Sequence, residues 1–226
     1  MFVLNTGLIP ASLLLTITLS PVLSQDYRVE KIDAPPKARQ LSAELTGALA
    51  GQGLRVRRGA KRTVCEVWLC KQWQGEPDFQ ATAERLYPFS QGQLIGLLHF
   101  SRRGKDFRDQ SVKRGWYTLR FGLQPVDGNH EGTSPTRDFL VLVDAEQDGP
   151  DKKWAPSDLH RLSAEAIGST HPAMLCLQAA TKGTEPAIRH NESSDWWILH
   201  AAGRGAASDK TLEIPLDLIV IGHATE

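Results

Sequence analysis

The segment TLEIPLDLIVIG (residues 211–222) alternates apolar and polar side chains almost without interruption. Leu212, Ile214, Leu216, Leu218 and Val220 fall on one side of an extended chain, because successive side chains of a strand point to opposite faces. This period of two recurs along the chain, and it limits the fold more than any other feature. LRVRR (54–58) and TVCEVWLCKQW (63–73) flank a Gly-Ala-Lys-Arg turn and predict a hairpin. QLIGLLHF (93–100) and DFLVLV (138–143) are apolar on both faces, as central strands are. In WYTLRFGL (116–123), Tyr117, Leu119, Phe121 and Leu123 share one face and Trp116, Thr118 and Arg120 the other, the pattern of a half-buried strand. Further strands are expected at AMLCLQA (173–179), DWWILHA (195–201) and LEIPLDLIVIGH (212–223), where Pro215 marks an edge or a bulge.

Two short segments carry helical spacing instead. Leu41, Leu45 and Leu49 lie four apart in QLSAELTGALA (40–50), which Gly51 and Gly53 end. PSDLHRLSAEAIG (156–168) places Leu159, Leu162 and Ala166 on one stripe, with Ser157 as the expected cap and Gly168 as the stop. Residues 26–39 read as an extended lead-in, and residues 74–93 and 144–153 as loops. Seven or eight short strands, two helices and no βαβ rhythm predict a mainly β fold, an antiparallel β-sandwich of jelly-roll or immunoglobulin-like type.

Residues 8–23 are apolar and uncharged, too short for the roughly 20 residues of a membrane span, and the run ends with small residues at Val22 and Ser24. The expectation is a signal peptide over 1–24 and a single domain over 25–226, with no integral span in the mature chain; an uncleaved anchor is the alternative. Lys and Arg together number 26, as do Asp and Glu, which argues against a nucleic-acid partner. The densest basic run, RVRRGAKR (55–62), reads as a solvated hairpin. The three cysteines are too few for a disulfide scaffold. Cys65 and Cys70 lie five apart in one strand, about 16 Å, beyond the roughly 7 Å Cα separation a disulfide allows. Buried free thiols are favoured, with a bond from either to Cys176 left open.

GWYTLRFGLQPVDGNHEGTSPTRDFLVLV (115–143), STHPA (169–173) and AIRHNESSDWWILH (187–200), with CEVWL (65–69) and LIVIGHA (218–224), resemble a family of exported bacterial single-domain proteins of unknown function. The resemblance spans roughly residues 40–223. It implies export and a single domain, and it carries no catalytic residue over.

The loop QPVDGNHEGTSPTRDF (124–139) gathers Asp127, His130, Glu131, Arg137 and Asp138 between two apolar runs. Its glycines and Asp/Asn residues suit tight turns, but a turn needs only two residues. Asp127 and His130, with Glu131, could bind a divalent metal or serve as an acid–base pair, joined by His171 and by His190 with Asn191 and Glu192 if the loops converge. Metal spacings such as HExxH are absent, so no cofactor is predicted. Arg137 is expected to pin the loop through a carboxylate such as Asp127. Ser134 reads as a turn serine, His200 as a packing residue, and His99 and His223 as structural. Trp116 and Trp196 are candidates for holding a carbohydrate, peptide or envelope partner. The reading is an exported binding or structural module. A secreted metal-dependent or acid–base hydrolase built around Asp127 and His130 is the alternative.

Overall fold

The computed structural model describes residues 27–127, 134–207 and 210–224. The apolar N-terminal run, His130 and Glu131 lie outside the described residues. The chain is mainly β. Its strands are β1 (Tyr27–Ile32), β2 (Gly53–Arg58), β3 (Arg62–Leu69), β4 (Trp73–Gln74), β5 (Leu94–Phe100), β6 (Gly104–Lys105), β7 (Ser111–Val112), β8 (Gly115–Leu123), β9 (Asp138–Asp144), β10 (Met174–Gln178), β11 (Ala187–Asn191), β12 (Trp196–Ala207) and β13 (Lys210–Ile221). Its two helices are α1 (Ala43–Ala48) and α2 (Pro156–Ile167).

The strands do not divide into the two facing sheets of the expected sandwich. They run as one sheet in the order β1-β2-β3-β5-β8-β9-β10-β13-β12-β11, with β4 added beside β12 and only β6 and β7 paired apart. Neighbours are antiparallel except β4 and β12, which are parallel, so the sheet is mixed. The join is β10. Met174, Leu175 and Cys176 pair with β9, and the next two residues, Leu177 and Gln178, pair with β13. One short strand thus bonds to a different partner along each half of its length, and what would have been two sheets becomes one. The sheet curls into a half-barrel, since strand twist accumulates from neighbour to neighbour. Its two ends approach: the Tyr27 ring of β1 lies 4.6 Å from that of Trp197 in β12, and Lys31 pairs with Glu185 just before β11 at 3.2 Å.

The inner face carries the period-two residues, among them Val67, Leu98, Leu119, Leu142, Leu177 and Leu218, in one buried cluster. α1 contributes Leu45 to it and its C-cap contributes Leu49, and the loop after β4 contributes Tyr87 and Phe89. On the outer face α2 lays Leu159 against Val141 and Val143 of β9. Ser42 caps α1, its hydroxyl accepting the Leu45 N–H at 3.0 Å. In α2 the cap position is Ala155, not Ser157, because Pro156 takes the first helical turn, where its missing N–H costs nothing. Gly168, at φ 73°, ends the helix as expected. β1 and β11 fall where the sequence showed only a lead-in and a polar stretch. Each is an end strand of the sheet with a partly exposed pattern, so alternation there is weak. No helix among the described residues is long and apolar enough to cross a membrane.

Candidate functional site

A single cross-strand row runs over five strands: Glu30, Arg55, Glu66, His99 and Trp116 stand opposite one another in β1, β2, β3, β5 and β8. Directly opposite side chains interact, and this row is built on that principle. Arg55 Nε donates to Glu66 Oε1 at 2.7 Å, and the other carboxylate oxygen meets His99 Nδ1 at 2.8 Å. A carboxylate only accepts, so Nδ1 carries the proton. No described residue partners Nε2. The imidazole lies flat on the Trp116 indole, with centroids 4.1 Å apart and planes 15° off parallel, and Trp68 flanks the same indole at 5.6 Å. Hydrogen bonding from His99, aided by Arg55, holds the Glu66 carboxyl below its ordinary range despite partial burial.

Beside His99 and Trp116 opens a cavity of about 590 Å³. Lys113 and Arg114 supply positive charge to its wall, Asp144 and Glu146 negative charge, and Ser101 and Gln40 neutral polar groups. The cavity exists because residues 101–114 leave the sheet between β5 and β8, so the end of the β5–β8 pair is open on one side. Its lining matches no metal centre. Among the described residues no group of three or more His, Cys, Asp or Glu side chains could hold an ion.

Among the described residues, Asp127, His171 and His190 do not converge. β8 and β9 meet at Leu123 opposite Asp138, which sets Asp127 at that end of the sheet. β10 runs antiparallel to β9, and Ala173 bonds to Leu142, so His171 lies beyond the other end of β9. Four residues of strand from Asp138 to Leu142 separate the two ends by about 13 Å. His190 is on β11, three strands from β10, or about 14 Å across the sheet. There its Nε2 bonds Asp195 at 2.8 Å, and its ring stacks on Trp197 at 4.4 Å. Trp196 is buried with Phe107, and its Nε1 donates to the His223 carbonyl at 2.9 Å. Of the candidate residues that are described, Trp116 alone lines the cavity.

Arg137 does pin its loop, through a backbone carbonyl: Nε donates to Gln124 O at 2.9 Å, and the Gln124 N–H returns to Arg137 O at 2.7 Å. Asp138 is fully buried and accepts the N–H groups of Leu86 and Tyr87, which fixes the long loop after β4. Burial raises its pKa, which these bonds only partly offset. Ser134 and Thr136 each place a hydroxyl 3.4 Å from the buried Cys176 thiol. A buried Asp–His pair exists elsewhere, His200 Nδ1 with Asp217 at 2.5 Å. His200 Nε2 is spent on the Gly183 carbonyl, while Asp217 also accepts from Arg189 and Thr181, so the pair is a closed structural knot.

From sequence His99 reads as structural, because a lone histidine at a strand end carries no signal. Only the register, which sets it between Glu66 and Trp116, makes it a site residue. Comparison of the chain with protein-family models, with curated proteins and with solved structures finds no match.

Proposed function

We propose that the protein is an exported binding module that holds a saccharide in the cavity beside Trp116 and His99. The observation that carries this reading is the cavity wall itself: an indole and an imidazole next to cationic and anionic side chains in equal number. Balanced charge disfavours a strongly ionic ligand. Carboxylates accept from hydroxyls, and ammonium and guanidinium groups donate to them, while aromatic side chains cover C–H surface. A sugar presents both kinds of surface. The apolar run at 8–23 and the motif resemblance support the export part of the proposal.

Calorimetric titration with a panel of neutral and acidic oligosaccharides tests it. At least one is expected to bind, and Trp116→Ala should weaken that binding by about tenfold or more, about 1.4 kcal/mol. Asp144→Asn, which leaves the ring stack intact, should weaken it too. Absence of heat with every sugar, or equal binding by all three proteins, removes the reading.

One observation favours a second reading, an acid–base hydrolase at the same cavity. Glu66 orients His99 through Nδ1 and leaves Nε2 without a partner among the described residues, as a general acid–base histidine requires. Under that reading the bound sugar is cleaved on long incubation, and His99→Ala abolishes cleavage while binding persists.

A further inference from the structure

A second cavity, of about 440 Å³, opens at one end of the curled sheet, where the β2–β3 hairpin and the turn before β6 face the β11–β12 turn and the end of β13. It is separate from the Trp116 cavity, although both adjoin the end of β5: His99 and Ser101 line one and Phe100 the other. Five cationic side chains line this mouth: Arg58, Arg62, Arg102, Arg103 and Lys105. Its carboxylates are Asp109 and Asp195, and both are already engaged. Asp109 takes the Lys105 ammonium at 2.5 Å, and Asp195 takes His190 Nε2 at 2.8 Å. Among the described residues no carboxylate pairs with any of the four guanidinium groups.

A chain with equal numbers of acids and bases has therefore gathered in one place four arginines that pair with no carboxylate among the described residues. Their placement carries a cost. Arg58 and Arg62 stand directly opposite each other in β2 and β3, and like charges at such a position repel. The turn bearing Arg102 and Arg103 is held close over the cavity by Gly104, where a Cβ would lie 2.5 Å from the Phe100 ring. The apolar part of the lining is Tyr27, Val64, Phe100, Val220 and Ile221, beside the neutral hydroxyls of Thr63, Ser111 and Ser194 and the His223 imidazole. The Arg58 guanidinium sits 5.8 Å from the Tyr27 ring centroid.

We propose that this mouth is a binding site for a phosphoryl group carried on an apolar body. Guanidinium forks match phosphate oxygens two at a time, and a phosphoryl group, with nearly two negative charges and three acceptor oxygens, can engage several forks at once. A single carboxylate would leave most of them unused. The apolar wall fits the remainder of the ligand and gives an organic phosphate an advantage over the bare ion. The shared phosphoryl chemistry could come from a soluble phosphate ester or from an anionic lipid headgroup, and the experiment separates these sources.

The probes are inorganic phosphate, hexyl phosphate and hexanol, titrated calorimetrically into the protein and into its Arg58→Gln and Arg103→Gln variants. Vesicles of phosphatidylcholine with and without phosphatidic acid form the second arm. Hexyl phosphate is expected to bind about tenfold or more tightly than inorganic phosphate, hexanol not at all, and each substitution to weaken hexyl phosphate by about fivefold or more. Binding should weaken as salt is raised. Among the described residues neither arginine has an ion pair, so both variants should melt with the parent, and hexyl phosphate should raise the melting temperature of the parent more than that of either variant. Cosedimentation with phosphatidic acid vesicles, together with hexyl phosphate binding, assigns the headgroup as the source; hexyl phosphate binding alone assigns a soluble ester. Vesicle binding without hexyl phosphate binding, failure of both phosphates at millimolar concentration, or equal affinity in parent and variants overturns the proposal.

Discussion

Arg120 is 2% exposed, and the carboxylate facing it, Asp148, is fully buried. The fork is complete, Nε to Oδ2 at 2.6 Å and Nη2 to Oδ1 at 2.7 Å, while the remaining guanidinium hydrogens meet the carbonyls of Gly92, Gly149 and Lys152. Asp148 also accepts from Thr118 and from Trp154 Nε1. Burial alone would raise its pKa, but the Arg120 bond and charge, together with the bonds from Thr118 and Trp154, outweigh burial and hold the carboxyl below its usual range. Every donor and acceptor is used, so the network fastens the loop after β9 and gives nothing to a ligand. Asp148→Ala leaves a guanidinium in the interior without its counter-charge. It should cost about 3–5 kcal/mol in urea denaturation, and a loss below about 1 kcal/mol would mean that water reaches Arg120 and replaces the carboxylate.

At the scale of elements, the β12–β13 hairpin shows how one residue governs a whole strand. β4 is only two residues long, yet it lies parallel to β12 at Gly205 and Ala206. The Trp73 indole beside it occupies the space over Gly203, where a Cβ would come within 2.4 Å of the ring. Trp73 is 1% exposed, and its Nε1 donates to the Ile95 carbonyl at 2.8 Å, so the ring has nowhere to retreat. Gly203→Ala should therefore overpack the junction by about 1–3 kcal/mol, whereas Gly51→Ala, with open space around its Cβ, should not. Equal melting temperatures for the two variants would contradict this account. Pro215 belongs to the same hairpin. It pairs with Ala202 in β12, while β10 reaches β13 only at Asp217 and Leu218, so no ladder bond to β10 is lost at the proline.

Across the whole molecule the single curled sheet buries all three cysteines as free thiols. Burial pushes Cys65 and Cys70 up to about 12, and raises Cys176 despite its hydroxyl neighbours. The thiolate is the reactive form, so the folded chain should resist alkylation by iodoacetamide at a pH of about 8 while the unfolded chain is labelled at every cysteine. Mass spectrometry after timed quenching reads this directly. Labelling of any native thiol at the rate of free cysteine would show that the sheet opens locally near it.

The alternation of small windows told where most strands lie, since a strand with one face in the core must write that face into its sequence at every second residue. The stripe Leu41-Leu45-Leu49 and the glycine at 168 gave both helices for the same kind of reason: their signals are local. Sheet number was not local. Whether strands such as DFLVLV and AMLCLQA close two sheets or one depends on β10 switching partners between Cys176 and Leu177, which no window records. The polar face of WYTLRFGL read as half-exposed because Thr118 and Arg120 are polar. Both are buried, since their partner Asp148 arrives from a distant loop. The candidate site follows the same division. Trp116 was visible as an aromatic on a polar face. His99 and Glu66 became site residues only when pairing of separate strands set them in one row. The basic run at 55–62 forms the largely exposed hairpin its sequence suggests, and only the curl of the sheet sets Arg58 and Arg62 beside Arg102 and Arg103. Side-chain type and period are properties of the chain alone; register, curl and the company a charge keeps are decided by contacts between residues far apart in sequence.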